Sequence, residues 1–327
     1  MKAIIVSQFG GPEVLRLADL PRPEPKPDEV LIRVVSSSVN FADVKSRQGR
    51  YHGAGQPPFI PGLDTAGIVT AVGSLVRDIG IGSSVVAFPN GGSYAEYATA
   101  SRDLVFPIPS NMNWDTAAAL PTVAFTSYKL LKDVGRLQAG ETLLIHAAAG
   151  GVGTTAIQLA RILGCSTIYG TVSDDDKRSA AKAAGADHVI NYRDRSFVQE
   201  IRELTQGRGV DLILDSVGGS VSEDSMEILA PFGRLVHFGS ASGRVGKIRV
   251  SDLHATCRSV LGFSLGTVRA ARPQILKPVA EAVLSYVISG QLTMQIGRKY
   301  PLDEAALAHQ WIESRASIGK ILLDVSG

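Results

Sequence analysis

The segment 141–160, ETLLIHAAAGGVGTTAIQLA, carries the clearest chemistry in the chain. A strand pattern over 142–146 runs into Gly150, Gly151, Val152 and Gly153, and a helical pattern over 152–163 follows. Gly151, Gly153 and Ala156 satisfy the G-x-G-x-x-G/A spacing of a dinucleotide-binding turn. Each small residue has a physical task there. Gly151 permits the tight turn, Gly153 clears the path of a pyrophosphate, and Ala156 lets the helix pack close on the sheet. The helix N-terminus supplies free N–H donors and a partial positive charge for the phosphates. An isolated match of this kind is often a plain glycine-rich loop. A strand before, a helix after and further strand–helix units downstream argue against that here.

The end of the next strand, 167–172, decides which nucleotide. NAD calls for a carboxylate there, on the ribose hydroxyls. The residue after the strand is Ser173, followed by Asp174, Asp175, Asp176 and Lys177. Ser173 is a small hydroxyl, Lys177 stands one helical turn on where it can meet a 2′-phosphate, and Tyr192 ends the following strand where it can stack near adenine. This pattern favours NADPH. The aspartates have a plainer use as negative charge at a helix N-terminus, and Lys177 has one as a solvated helix charge. His146, beside the glycine turn, reads as a strand-end histidine bonded to backbone.

The elements that position these residues fall into two textures. Residues 1–110 read as short β-segments (2–7, 30–36, 66–72, 84–88), with four prolines in 21–27 marking an extended connector. Asn113 is a plausible N-cap for a helix over 114–120, and Pro121 and Thr122 break and recap before a helix over 123–133. From Glu141 strands and helices alternate: strands at 142–146, 167–172, 188–191, 211–215 and 234–238, helices at 152–163, 174–184, 194–205 and 221–229. That alternation implies right-handed βαβ units and a parallel sheet. In the tail, 258–264 is strand-like, a helix striped by Ile275, Val279, Ala282 and Tyr286 closes at Gly290, Asp303 caps a helix over 304–314, and 318–325 is a final strand.

Composition narrows the function classes. With 327 residues the chain suits about two domains. Glycine, at 34 residues, is in excess without a three-residue period, which excludes collagen-like and low-complexity readings and implies turns or close backbone approach. The net charge of +2 leaves no whole-chain field for nucleic acid or an acidic membrane. The two cysteines, Cys165 and Cys257, form no metal-binding or disulfide framework. No apolar run suits a membrane span and the first residues lack a signal-peptide pattern, so a cytoplasmic location is expected.

Taken together, FGGPEVL (9–15), SVNFADVKSRQGRY (38–51), PGLDTAGIVTAVG (61–73), GGSYAEYA (91–98), HAAAGGVGTTAIQLA (146–160), GADHVINY (185–192), DSVGG (215–219) and ESRASIGKILL (313–323) resemble the zinc-free quinone oxidoreductases, the zeta-crystallin-like group of the medium-chain dehydrogenase/reductase superfamily. The resemblance covers nearly the whole chain. It implies an α/β fold: a GroES-like, partly open β domain (1–115 and 263–327) and a Rossmann doubly wound parallel-sheet domain (116–262), with NADPH in the cleft between them. It also implies site residues. Asn40 and Tyr51 fall on the substrate-pocket Asn and Tyr, and Lys45 on a position that is tyrosine in some members. Thr126 falls near the nicotinamide. Ser173, Lys177 and Tyr192 fall on the adenosine-phosphate positions, Ser216 and the turn Phe238-Gly239-Ser240 on the nicotinamide side. Phe263, Ser264 and Arg315 close the cleft, and Gly319-Lys320 matches a cofactor-contact turn. A homodimer is implied, its strand 258–264 pairing with its copy.

Zinc members of the superfamily hold their metal with thiolate and imidazole. Here Ser37, Ser38 and Val39 stand in the region of the first ligand, and Gly62-Leu63-Asp64 replaces a Gly-His-Glu. No metal is expected. A quinone or conjugated enone delocalises the developing negative charge itself, so positioning and hydrogen bonds from the Asn40 amide and Tyr51 hydroxyl suffice. The plain alternatives are a turn residue for Asn40 and a pocket-lining aromatic in a Gly-rich loop (49–55) for Tyr51. The expected activity is NADPH:quinone or enone reduction. An enoyl-thioester reductase, with Lys45 and Arg47 attracting a CoA phosphate, is the second reading. A nucleotide-regulated RNA-binding role is the third, disfavoured by the near-neutral charge.

Overall fold

In the computed structural model, which describes residues 1–51 and 55–325, the chain divides into two units. The first comprises Met1–Phe125, Gly266–Ser285 and Thr293–Gly327; the second comprises Thr126–Leu265 and Tyr286–Leu292. The boundaries differ from those expected: the first falls inside the helix Pro121–Tyr128 rather than at 115/116, and 286–292 joins the second unit.

The first unit is organised by one long strand, Glu29–Val39. It pairs antiparallel with Asp64–Val72 along its length, with Tyr97–Ser101 on its N-terminal half and with Lys320–Asp324 on its C-terminal half. The sheet continues outward through Ser84–Ala87 to Val105–Pro107 and, on the other side, to Ile296–Pro301. Two cores form along this strand. Val30 and Ile32 pack with Val69, Val85, Ala100 and Val105; Val34 and Val39 pack with Leu302, Ala305, Ala308 and Leu323. Serines 36, 37 and 38 interrupt the apolar run, yet all are buried. Buried hydroxyls must find partners: Ser36 Oγ donates to Leu323 O (3.3 Å), Ser37 Oγ to Asp64 O (2.9 Å), and Ser38 Oγ to the Asp64 carboxylate (2.5 Å).

The second unit is a six-stranded sheet, all parallel. Its order is His188–Asn191, Thr167–Val172, Thr142–Ile145, Val210–Asp215, Leu229–His237 and Ser259–Gly262. In chain order this is 3-2-1-4-5-6, the doubly wound arrangement whose order reverses beside the first strand. Strands 167–172 and 188–191 match the expected residues, because each is bounded by its own turn signals.

Several boundaries differ. Pro121 opens the helix Pro121–Tyr128 instead of breaking it, since a missing N–H costs nothing at the first helical position. The helix stops at Tyr128 and gives way to a π-helical turn, Lys129–Val134. The helix expected from 194 starts at Phe197, because Asn191 holds Asp194 in a preceding turn (Nδ2 to Oδ2, 2.6 Å). The strand expected at 234–238 begins at Leu229, and the preceding helix ends at Glu227. Asp303 is not an N-cap: it lies within a 3-10 turn, Leu302–Glu304, anchored by buried Leu302, and the helix is Ala305–Glu313. The strands Leu15–Asp19 and Ile296–Pro301 and the helices Phe41–Arg47 and Leu265–Ala271 carry no periodic signal and were not expected.

A candidate active site around Asn40 and a candidate nucleotide site at the glycine turn

Asn40 lies where the long strand of the first unit ends and the helix Phe41–Arg47 begins. Its backbone N–H donates to Asp43 Oδ2 (2.8 Å), fixing that corner. Its side chain is also held: Nδ2 donates to Asp64 Oδ2 (2.8 Å), and Oδ1 accepts from Lys320 Nζ (2.7 Å). Asp64 is fully buried. It accepts from Ser38 Oγ (2.5 Å), from Thr122 N (2.9 Å) and from Thr122 Oγ1 (2.6 Å), and Lys320 Nζ lies 3.5 Å away. Lys320 also donates to Val39 O (3.3 Å). Its ammonium is buried, which lowers its pKa, while Asp64 and Asp43 oppose that shift.

Zinc does not fit this cluster. The metal takes three or four nitrogen, sulfur or oxygen ligands. Here the central carboxylate, Asp64, is engaged by three hydrogen-bonding side chains, one backbone N–H and an ammonium, and Asp43 is taken up by the Asn40 N–H. Among the described residues no group of three or more His, Cys, Asp or Glu can hold a metal ion.

A second buried chain leads away from Asp43. Arg47 is fully buried. It donates to Gly10 O (3.1 Å), to Glu313 Oε1 (2.7 Å) and to His309 Nδ1 (3.2 Å). A guanidinium only donates, so His309 carries its proton on Nε2, which points to Tyr94 OH (3.1 Å); that hydroxyl turns to Asp43 Oδ2 (3.4 Å). Burial, aided by the Arg47 charge, lowers the His309 pKa to about 3, so the ring is neutral. Burial raises the Asp43 carboxyl to about 7; the Asn40 N–H lowers it, and Asp64 raises it further. Arg47 therefore cannot attract a CoA phosphate, contrary to the expectation for a thioester reductase. Tyr94, His309 and Asp43 were not singled out from sequence.

Of the other expected pocket residues, Lys45 places Nζ 5.8 Å from the Phe41 ring, and burial lowers its pKa. Tyr51 is partly buried, which raises its pKa, with the Arg269 charge opposing. Residues 52–54 of the expected loop lie outside the described residues. Arg269, which sequence reasoning missed, sits over the Phe88 ring (5.0 Å), and its Nε is buried without a hydrogen-bond partner among the described residues. Arg315 also belongs to the first unit, exposed at the end of Ala305–Glu313 with a φ of 59°.

In the second unit, Thr142–Ile145 leads into the turn and Gly150 stands at the start of the helix Gly151–Ile162. A Cβ on Gly153 would lie 2.5 Å from both Ala147 O and Ala148 O. The turn's own backbone, then, requires this glycine before any ligand does. Ser127 Oγ donates to Val152 O (3.2 Å), which ties the segment next to Thr126 to the turn. Thr126 itself is buried. His146 is bonded to hydroxyls rather than backbone: Thr171 Oγ1 at Nδ1 (3.0 Å) and Ser225 Oγ at Nε2 (2.9 Å). Burial lowers its pKa to about 4, so it is a neutral structural group.

The residues expected at the adenosine phosphate, Ser173, Lys177 and Tyr192, come together. Tyr192 N–H donates to Val172 O (3.1 Å), which sets Tyr192 beside Ser173. Lys177 Nζ donates to Ser173 Oγ (2.7 Å) and pairs with Asp174 (3.1 Å). Asp174 Oδ1 accepts Lys177 N–H (3.1 Å), the helix-end use of an aspartate expected above. Ser216, Phe238, Gly239 and Ser240 also converge. Phe238 N–H reaches Asp215 O and Ala241 N–H reaches Ser216 O (2.9 Å each), and Phe263 N–H reaches His237 O (3.0 Å). Asp215 pins this edge by accepting Val217 N–H (2.7 Å), Gly218 N–H (3.1 Å) and the Ser222 hydroxyl; despite burial, the bonds from His237, Ser222 and Gly218 N–H keep its pKa low. Ser264 follows Phe263 on the same segment.

Two family models match the chain: an alcohol dehydrogenase GroES-like domain over residues 26–110 and a zinc-binding dehydrogenase over 151–281. The quinone oxidoreductase of Pseudomonas aeruginosa is 35% identical over 98% of this chain and 99% of its own. The VAT-1 homolog, a synaptic vesicle membrane protein of Danio rerio, is 31% identical over 98% of this chain and 69% of its own. The structure of Escherichia coli quinone oxidoreductase complexed with NADPH superposes with a TM-score of 0.93 at 33% identity, covering 99% of this chain and all of the other. Among the described residues no helix is long and apolar enough to cross a membrane. The chain belongs to the quinone oxidoreductase-like family of the medium-chain dehydrogenase/reductase superfamily.

Proposed function

We propose that this protein is an NADPH-dependent, zinc-independent reductase that delivers hydride to a quinone or a conjugated enone. The observation that carries the reading is the Asp64 cluster. Where zinc relatives assemble a Lewis acid, this chain has an amide whose N–H donor is held by a buried ion pair. Such a donor suits an acceptor whose own π-system spreads the developing charge, and suits a simple ketone poorly.

The nucleotide reading rests on the glycine turn at the point where the strand order reverses, with a twelve-residue helix opening behind it. NADPH supplies the hydride. Ser173, Lys177 and Tyr192 hold its 2′-phosphate and adenine, and the NADPH-bound Escherichia coli relative supports that choice over NADH. The overall reaction consumes one NADPH and one proton and yields NADP⁺ and the two-electron-reduced acceptor. Asn40 Nδ2 and the Tyr51 hydroxyl hydrogen-bond the acceptor oxygen as charge builds on it. Ser259–Gly262 is an edge strand, and pairing with its copy across a two-fold axis gives the expected homodimer in the cytoplasm.

The test is to incubate pure, chelator-treated protein with NADPH and a panel of 1,4- and 1,2-quinones and alkenals, following cofactor absorbance. Turnover that survives chelation is the expected result. No turnover on the whole panel refutes the reading.

A further inference from the structure

We infer that Lys320 is a positioning residue for Asn40: with Asp64 it locks the side-chain amide so that Nδ2, rather than Oδ1, is left to meet the substrate oxygen. The inference rests on the reductase function proposed above and replaces the expectation that Lys320 touches the cofactor.

The orientation of an amide is ordinarily ambiguous, because its oxygen and nitrogen look alike. Here chemistry decides it. An ammonium can only donate and a carboxylate only accepts. Lys320 Nζ lies 2.7 Å from one end of the Asn40 amide, and Asp64 Oδ2 lies 2.8 Å from the other. A flipped amide would set NH2 against ammonium and C=O against carboxylate, turning two attractive contacts into two repulsive ones. The unflipped amide has two Nδ2 hydrogens, of which Asp64 takes one. The second is the only hydrogen-bonding hydrogen of that side chain left for a ligand.

The backbone is built to deliver this lysine. Gly319 has a φ of 62°, and a Cβ there would lie 2.3 Å from Gln295 O. Lys320 N–H donates to that same carbonyl (2.8 Å). The turn starts the strand Lys320–Asp324, whose Ile321 pairs with Val39. Lys320 thus enters beside residues 39 and 40, where its ammonium takes both Val39 O and Asn40 Oδ1. At 3% exposure it is committed inward.

The test is a double-mutant cycle of Asn40→Ala and Lys320→Met, read as kcat with a quinone and as the dissociation constant of NADPH. Loss of an oxyanion donor lowers kcat by about 100-fold or more, so Asn40→Ala should do so. Lys320→Met should lower kcat by about 10-fold or more and leave NADPH affinity within about twofold. In the Asn40→Ala background, Lys320→Met should have no further effect on kcat, because the group it positions is gone. Multiplying effects, or weaker NADPH binding with unchanged kcat, would overturn the inference. Removing the ammonium strands a buried carboxylate, so Lys320→Met/Asp64→Asn is run beside it. That neutral pair should fold, keep its NADPH affinity and remain slow, and wild-type kcat in it would equally overturn the inference. If the wild type reduces no acceptor, the reductase reading fails first and takes this inference with it. If the wild type turns over and the cycle is additive, only the positioning role fails.

Discussion

Asp43→Asn should make the protein more stable, by an amount that grows with pH. Asp43 is buried, and burial lifts its carboxyl from 3.8 to about 7. The sign follows from proton counting. Between these values the folded protein keeps the proton while the unfolded chain has lost it, so the folded state binds more protons and stability falls as pH rises. Each pH unit costs up to about 1.4 kcal/mol, and the interval of about three units gives about 4 kcal/mol in all. The contribution is intact below 3.8 and gone above about 7. Asparagine cannot ionise, yet it retains a carbonyl for the Asn40 N–H and the Tyr94 hydroxyl. The stability difference between variant and wild type should therefore widen from about pH 4 to about pH 7 and then level off. Urea titrations across that range measure it. Both tryptophans, Trp114 and Trp311, lie in the same unit as Asp43, so their fluorescence reports its unfolding without depending on the other unit. A difference that is flat with pH would show that the Asn40 N–H and the Lys320 charge cancel the effect of burial on Asp43. A difference that narrows with pH would refute the reasoning outright.

Other outcomes follow from single contacts. Lys177→Gln removes a cation from the Ser173 hydroxyl and should cut the NADPH-over-NADH preference in kcat/KM by about 10- to 100-fold, the value of one charge-assisted bond; an unchanged ratio would remove Lys177 from the phosphate site. Gly153→Ala pushes a methyl against Ala147 O and Ala148 O, so calorimetry should show a loss of about 1–3 kcal/mol in stability and weaker NADPH binding. Arg234→Met breaks a two-pronged pair with Glu141 (2.8 and 2.6 Å) and a bond to Gly135 O (2.9 Å) inside the second unit. Circular-dichroism melts should register about 1–3 kcal/mol, with NADPH selectivity untouched.

The two candidate sites were legible to different degrees, and the reason is chain distance. The nucleotide site is local. Strand, turn and helix follow one another within 141–162, Ser173 and Tyr192 follow strand ends that announce themselves by turn residues, and Lys177 lies in the first turn of the helix after Ser173. The Asn40 site is assembled from far apart. Asn40 meets Lys320 across 280 positions and Arg47 meets His309 across 262. No periodicity encodes such pairs, and a seven-residue helix such as Phe41–Arg47 is too short to show its face. Arg47 accordingly read as a cation free to attract a CoA phosphate, although it is among the most deeply buried side chains of the protein. One signal for Lys320 was present nonetheless. It stands at the head of Lys-Ile-Leu-Leu, a run that reads as a strand buried on both faces, where a charge must find a partner. A buried cation calls for a carboxylate, and Asp64 opens the strand Asp64–Val72, buried along its first half. Each charge is anomalous alone, and each explains the other. The amide trapped between them is the residue that the chemistry needs held still.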